Sequence, residues 1–430
     1  MNQTPRGLRV HIGIFGRTNT GKSSFLNLVT GQSTAIVSPV AGTTTDVVEK
    51  SMELLPLGPV TFLDTAGIDD SSEIGSLRIE KTSKALESSD VSVLVAEAGV
   101  WTEYEETLAA RCAEQKTPLI VAINKTDVAA PSEQWLGELS SRFPGAGFLE
   151  ISCVQAAHKP ELRERAISAF KALLLERIPE SALELPAILG DLLPSGKGLP
   201  LVVLVVPIDL QAPKGRLILP QVQAIRDALD SDAAVVVVKD REYPALLDKL
   251  GAEPDLVVCD SQAVLKTAAD TPDRIPLTTF SILFSRFKGD IVSMAAGAAA
   301  IETLKAGDRV LIAEACTHHS LEDDIGRVKI PRWLRQYTGL DLAIDHCTGK
   351  DYPENLGEYR LIIHCGSCTL TRRQMLSRIE RAGPRAITNY GMAISVLQGV
   401  AERALEPFPQ ALDAYRKARK TVSAPKESFR

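Results

Sequence analysis

Apolar and polar positions along the chain fall into two periods. Residues 9–15 alternate, with Val10, Ile12 and Ile14 on one face, as a strand does. From Lys22 onward Phe25, Leu26 and Val29 recur at helical spacing. Short apolar runs at 60–63, 91–95 and 119–123 read as strands, and 162–178 reads as a helix that closes this region. Residues 179–198 are rich in Pro, Gly, Leu and Ser and read as a linker. Strands at 201–206, 233–238 and 256–258 then alternate with helices at 220–229 and 244–250, the pattern of a small parallel α/β unit. Residues 279–288 and 291–305 lead into two further strands, 309–313 and 359–363. The expectation is an α/β chain of three domains, 1–178, 179–274 and 275–430. The first has a doubly wound, mostly parallel sheet, and the other two are smaller. A length of 430 residues suits two or three domains.

Composition narrows the classes. The formal net charge of −6 argues against a general nucleic-acid binder. Residues 1–9 are polar and lack the apolar core of a signal peptide, and the longest apolar runs, such as 199–207, are too short to span a bilayer. A soluble, cytoplasmic protein is expected. Seven cysteines in a chain this long are no disulfide framework, and in a reducing compartment clustered ones suggest metal.

The first strand runs into Gly16-Arg-Thr-Asn-Thr-Gly21-Lys22-Ser23, which matches G-x-x-x-x-G-K-[ST] between a strand and a helix. Backbone N–H groups of such a P-loop curl around a phosphate, and the helix N-terminus adds positive potential. Gly16, Asn19, Thr20, Gly21, Lys22, Ser23 and Ser24 would line it, with Lys22 on the β- and γ-phosphates and Ser23 on Mg2+. Residues 38–46, SPVAGTTTD, can fold over a nucleotide and offer a second hydroxyl, Thr43 or Thr44, to Mg2+. Asp64-Thr-Ala-Gly67 follows a strand: Asp64 can hold Mg2+ through water and the Gly67 N–H can sense a γ-phosphate. Asn124-Lys125-Thr-Asp127 follows another. Its aspartate can accept both the N1–H and the N2 amine of guanine, a donor pair adenine lacks, so GTP is selected. Ser152 and Cys153 close the set on the base side. Singly, the Asp64 or the Asn124 motif would be weak, but four motifs in this order and spacing are specific.

These residues resemble the translation-factor-related GTPases, within them the TrmE/Era-like branch. Ile68 stands where Ras-like proteins carry a water-orienting glutamine, and isoleucine cannot orient a water. By resemblance, Asn19 would help bind K+, Thr44 would be the Mg2+ ligand, and Glu73 is the candidate catalytic glutamate. The competing reading of Asn19 is a turn residue.

Both remaining cysteine clusters lie just past apolar strands. One is Cys316-Thr-His318-His319, the other His364-Cys365-Gly-Ser-Cys368. In a parallel sheet those strand ends lie side by side, so Cys316, Cys365 and Cys368 can converge. Spacing alone leaves three alternatives open: a zinc site of three cysteines and a histidine, an iron–sulfur cluster with an exchangeable fourth position, or a redox pair at Cys365/Cys368. C-x-H, a long interval and H-C-x-x-C behind a TrmE-like GTPase resembles the HydF family, the GTPase maturation factors of [FeFe]-hydrogenase. Residues 284–290, FSRFKGD, and 389–392, NYGM, fit it too. The resemblance covers essentially the whole chain as GTPase, dimerisation and cluster domains. It implies that Cys316, Cys365 and Cys368 ligate a [4Fe–4S] cluster, with His318, His364 or an exchangeable group in fourth place. It implies a carrier of a diiron precursor to apo-[FeFe]-hydrogenase, working with radical-SAM maturases as a homodimer or tetramer.

Other residues are weighed beside it. His346-Cys347 could complete a four-cysteine site, although its flanks look loop-like; His319 reads as a neighbour. Lys329, Arg332 and Arg335 could hold an anionic precursor or form a solvated helix face. Cys112, Cys153, Cys259, His11 and His158 read as structural or surface residues, and apolar residues 233–238 could pair across a dimer at a sheet edge. The reading from another class is a TrmE/Era-like GTPase with a structural zinc domain acting on RNA or ribosome assembly. The acidic balance counts against it.

Overall fold

A computed structural model describes residues 8–31, 48–65, 82–179, 186–196, 198–207, 217–315, 324–349, 352–353 and 355–423. The chain divides into two compact units, Met1–Leu185 and Pro186–Arg430.

The first unit is built on six strands: β1 (Val10–Phe15), β2 (Val48–Leu54), β3 (Gly58–Asp64), β4 (Val91–Glu97), β5 (Leu119–Asn124) and β6 (Gly147–Glu150). Their order is β2-β3-β1-β4-β5-β6. Only β2 runs antiparallel to its neighbour. The apolar runs that mark β4 and β5 reflect helices covering both faces, and β1 is buried along its whole length as well. The helix Lys22–Thr30 buries Phe25, Leu26, Leu28 and Val29 on one face of the sheet. There Phe25 meets Phe170 edge to face at 5.1 Å. Phe170 belongs to the helix Pro160–Arg177. The chain leaves β1 toward β3 on one side and β4 on the other. The crevice beyond their carboxyl ends is therefore the position where such sheets bind ligands.

The second unit carries two four-stranded parallel sheets. One contains β7 (Leu201–Val205), β8 (Ala234–Val238), β9 (Leu256–Cys259) and β10 (Leu277–Thr279), ordered β10-β9-β7-β8. The other contains β11 (Arg309–Glu314), β12 (Ala343–Thr348), β13 (Leu361–His364) and β14 (Ala386–Asn389), ordered β12-β11-β13-β14. This is the expected α/β architecture. In detail, β10 carries the earlier sheet past residue 274, and both sheets belong to one compact unit.

Residues 186–196 are more than a linker. Leu189 is fully buried, and the Leu189 and Gly190 N–H groups both donate to the Asp227 carboxylate at 2.8 Å. Arg286 binds Asp191 and the carbonyls of Ala187 and Ile188, which ties this stretch down.

Candidate functional site

The phosphate loop leaves β1 at its carboxyl end and enters the helix at Lys22. Its shape demands its glycines. Gly16 has φ +148, and a Cβ there would lie 2.4 Å from the Val95 carbonyl oxygen. Gly21 has φ +98, and a Cβ would lie 2.2 Å from Asn124 Nδ2. Asn19 is left-handed too, with φ +65, a conformation asparagine accepts better than most residues. It is exposed, as are Ser23 and Ser24, whereas Thr20 and Lys22 are buried. The Lys22 ammonium donates to the carbonyls of Gly16 at 2.6 Å and Arg17 at 3.0 Å.

The other described motif residues gather on the same side. Asp64 is buried and pairs in register with Ile14, two residues before the loop. Its neighbour Thr65 donates to the Ile14 carbonyl at 2.6 Å. Asn124 is a strut: its amide donates to the Thr20 carbonyl at 2.8 Å and its oxygen accepts from the Cys153 N–H at 3.0 Å. One side chain thus joins the phosphate loop to the base-side loop. Asp127 is exposed, and its carboxylate accepts from the Ser152 hydroxyl at 2.5 Å. Lys125 pairs with Glu97 at 3.0 Å. Burial, and then the nearby Asp127 charge, push the Cys153 thiol up to about 12, so it packs rather than reacts. Thr43, Thr44, Gly67, Ile68 and Glu73 lie outside the described residues.

One functional contact was missed. Arg17, inside the loop, pairs with the fully buried Glu105 at 2.6 Å. Glu105 also accepts from the Thr102 N–H and hydroxyl as a capping box of the helix Glu103–Glu114. The Thr102-x-x-Glu105 spacing is the signal that marks it.

In the second unit, β11 and β13 are neighbours with Ala313 opposite His364. The two cysteine segments therefore leave adjacent parallel strand ends, as their positions suggested. Cys316, His318 and His319 lie outside the described residues, which end there at Ala315. The Ala315 N–H points at Cys365 Sγ, 3.1 Å away. Cys365 and Cys368 are half-buried, unlike Cys112 and Cys259, whose thiols burial pushes up, to about 12 for Cys112. Among the described residues no group of three metal-binding side chains is gathered.

Two buried cations flank the Cys365–Cys368 loop. Lys288 donates to the carbonyls of Ser367, Cys368 and Leu370 at 3.1, 3.0 and 2.7 Å. Burial lowers its pKa to about 8, against the pull of Cys368 and Cys365. Arg378 donates through Nη1 to His364 Nε2 at 2.7 Å and through Nη2 to the Gly349 carbonyl at 2.6 Å. Its guanidinium also stacks 4.6 Å above the Tyr352 ring. Burial and this guanidinium push His364 down to about 3, so the ring is neutral. With Nε2 accepting from Arg378, the proton sits on Nδ1 and is shared with the Cys365 carbonyl, 3.0 Å away. Both ring nitrogens are thus engaged by protein groups.

Cys347 has a defined place in the sheet. It lies on β12, opposite Ala313, and so shares a sheet face with His364. Lys329 and Arg335 are not a free cationic face: Lys329 donates to Gln262 at 2.7 Å and Arg335 to the Leu342 carbonyl at 3.3 Å. Arg332 is exposed.

A mostly parallel sheet with a lysine-bearing phosphate loop at its switch point defines a P-loop GTPase domain, and residues 11–125 match the family model described as 50S ribosome-binding GTPase. Residues 188–289 match the hydrogen maturase F dimerization domain and 292–407 the hydrogen maturase F tetramerization domain. The chain belongs to the hydrogen maturase F family. Relatives of the first unit include the tRNA modification GTPase MnmE of Synechococcus sp. (strain JA-3-3Ab), 38% identical over 179 residues, 41% of this chain and 36% of that protein. GTPase Der of Wolinella succinogenes is 32% identical over 182 residues, 40% of this chain and 38% of that one. The chain spans little more than a third of these curated relatives. Among solved structures, Aquifex aeolicus Era bound to GDP.AlF4- is 20% identical with a TM-score of 0.32, covering 56% of this chain and 98% of that one. No helix among the described residues is long and apolar enough to cross a membrane.

Proposed function

We propose that the chain is a GTP-hydrolysing scaffold that binds a [4Fe–4S] cluster and carries the diiron precursor of the hydrogenase active site to the apo-hydrogenase. In the first unit, backbone N–H groups of residues 16–23 and the Lys22 ammonium bind the phosphates. Ser23 and Thr44 hold Mg2+, with Asp64 behind a water. Asp127, oriented by Ser152, reads guanine. Asn19 takes K+, which places positive charge where the transition state needs it. Glu73 is the candidate to orient the attacking water. Thr44, Gly67 and Glu73 are carried by the motif alone.

In the second unit, Cys365 and Cys368 with Cys316 supply three thiolates. The donor set fits: two half-buried thiols sit at one parallel strand end, an N–H donor faces one sulfur, and cations stand beside the loop. Bound there, an iron–sulfur cluster supplies an iron with an exchangeable position. The protein would hold the thiolates and leave the fourth position to His318, His364 or an exchangeable group such as the precursor. GTP hydrolysis changes the loops around Thr44 and Gly67 and thereby contacts with partners. The partners are the apo-hydrogenase and the radical-SAM maturases, and the scaffold acts as a homodimer or a tetramer.

The observation that carries the reading is the meeting of β11 and β13 at Ala315 and Cys365. The test is anaerobic iron and sulfide analysis with EPR of the reduced protein, on wild type and Cys365→Ser. About four irons per chain and a cluster signal, lost in the variant, are expected. One tightly held zinc with no EPR signal would overturn the cluster assignment and leave the nucleotide site standing.

A further inference from the structure

Lys288 and Arg378 are 1% and 8% exposed. A buried ammonium or guanidinium is expensive unless an opposite charge accompanies it. Among the described residues neither meets a carboxylate: Lys288 bonds to three carbonyls, and Arg378 to an imidazole, a carbonyl and a ring face. Among the described residues, the acidic groups facing Lys288 are Cys368 and Cys365, and those facing Arg378 are Tyr352, Cys347 and Cys365. Both cations are also directed at the same loop. Lys288 draws the carbonyls of Ser367, Cys368 and Leu370 toward itself. Arg378 acts through His364, whose Nδ1–H reaches the Cys365 carbonyl. Their helices, Phe280–Lys288 and Arg372–Ala382, lie on either side of this loop in the sequence.

We propose that Lys288 and Arg378 are the fixed counter-charges of an anionic iron–sulfur group on Cys365 and Cys368, and that they raise its reduction potential. The inference rests on the cluster reading above. Three thiolates around a cluster leave a net negative charge, and one-electron reduction adds another. A nearby buried cation favours the reduced form more than the oxidised one. Both are positioning residues that touch the cysteine loop rather than the reacting atoms.

The test is an EPR-monitored redox titration of anaerobically reconstituted full-length protein, with iron content measured on each sample. Lys288→Met and Arg378→Met delete a charge; Lys288→Arg and Arg378→Lys keep it. At the wild-type midpoint, each charge-deleting variant is expected to hold a reduced-to-oxidised ratio lower by about tenfold, a shift of about 59 mV for one electron. The charge-keeping variants should stay within about threefold of wild type. A charge-deleting pair that takes up no iron while the charge-keeping pair loads normally also supports the proposal. Unchanged midpoints in Lys288→Met and Arg378→Met would overturn it. So would charge-keeping variants that behave like the charge-deleting ones, because hydrogen-bond geometry would then be the cause. Wild type that takes up no four-iron cluster would instead fail the cluster reading, and this inference with it.

Discussion

Among single residues, Asn124 has a task that its motif does not reveal. The N-K-x-D spacing points its aspartate at guanine, and the asparagine bonds within the protein. Its amide spans from the Thr20 carbonyl to the Cys153 N–H and binds two loops together. The sequence could not show this, because the partners are 104 and 29 residues away. Asn124→Ala would leave a buried carbonyl and a buried N–H unpaired, at a cost of about 1–3 kcal/mol. A lower urea midpoint is expected, with GDP affinity weakened by about tenfold as the loops part. Both are read on one sample, by fluorescence unfolding and by titration with a labelled nucleotide. Wild-type values for both would show that the strut is dispensable. His364 and Cys347 teach the same lesson. Their residue types suit metal, while strand register sets both on one sheet face and Arg378 holds the His364 ring, contacts that the sequence does not announce.

For whole elements, legibility followed position in the sheet. Interior strands are covered on both faces and appear as apolar runs, so β1, β4, β5, β7, β9 and β11 could be read directly. The strands that escaped are β2, β6, β10, β12 and β14, and every one is an edge. Sequences such as VEKSMEL in β2 and AIDHCT in β12 carry polar residues because one side faces water. That is why the flanks of Cys347 looked loop-like. Edge β14 is positioned by close packing that no periodicity reveals. Gly297, in the helix Ile291–Ala298, faces it so closely that a Cβ would lie 2.0 Å from the Ile387 carbonyl oxygen. Helix propensity favours alanine over glycine by up to about 1 kcal/mol, but backbone cannot move aside cheaply. Gly297→Ala is therefore expected to destabilise the second unit by about 1–3 kcal/mol, visible as a lowered calorimetric melting temperature. A raised melting temperature would mean that helix and strand separate freely.

At the scale of the whole molecule, one apolar edge was legible, and it is the exception that needs a purpose. β8 reads AVVVV, ends the order β10-β9-β7-β8, and leaves Val237 44% exposed. Proteins usually protect such an edge with charge, proline or a covering element. The helix beside it, Leu219–Asp230, exposes Val222 and Leu229 as well. Strand and helix both lie within residues 188–289, which match a dimerization domain. We propose that a second copy pairs along β8, which would continue the sheet across the pair and bury these side chains. Val237→Lys places a charge on that edge and should weaken self-association at least tenfold, while the monomer keeps its fold because the side chain points outward. Sedimentation equilibrium at micromolar concentration decides it. Wild type should run as a dimer or larger, and the variant should shift toward monomer with unchanged circular dichroism. If the variant assembles as wild type does, β8 lies outside the interface and pairing must use another face of the second unit.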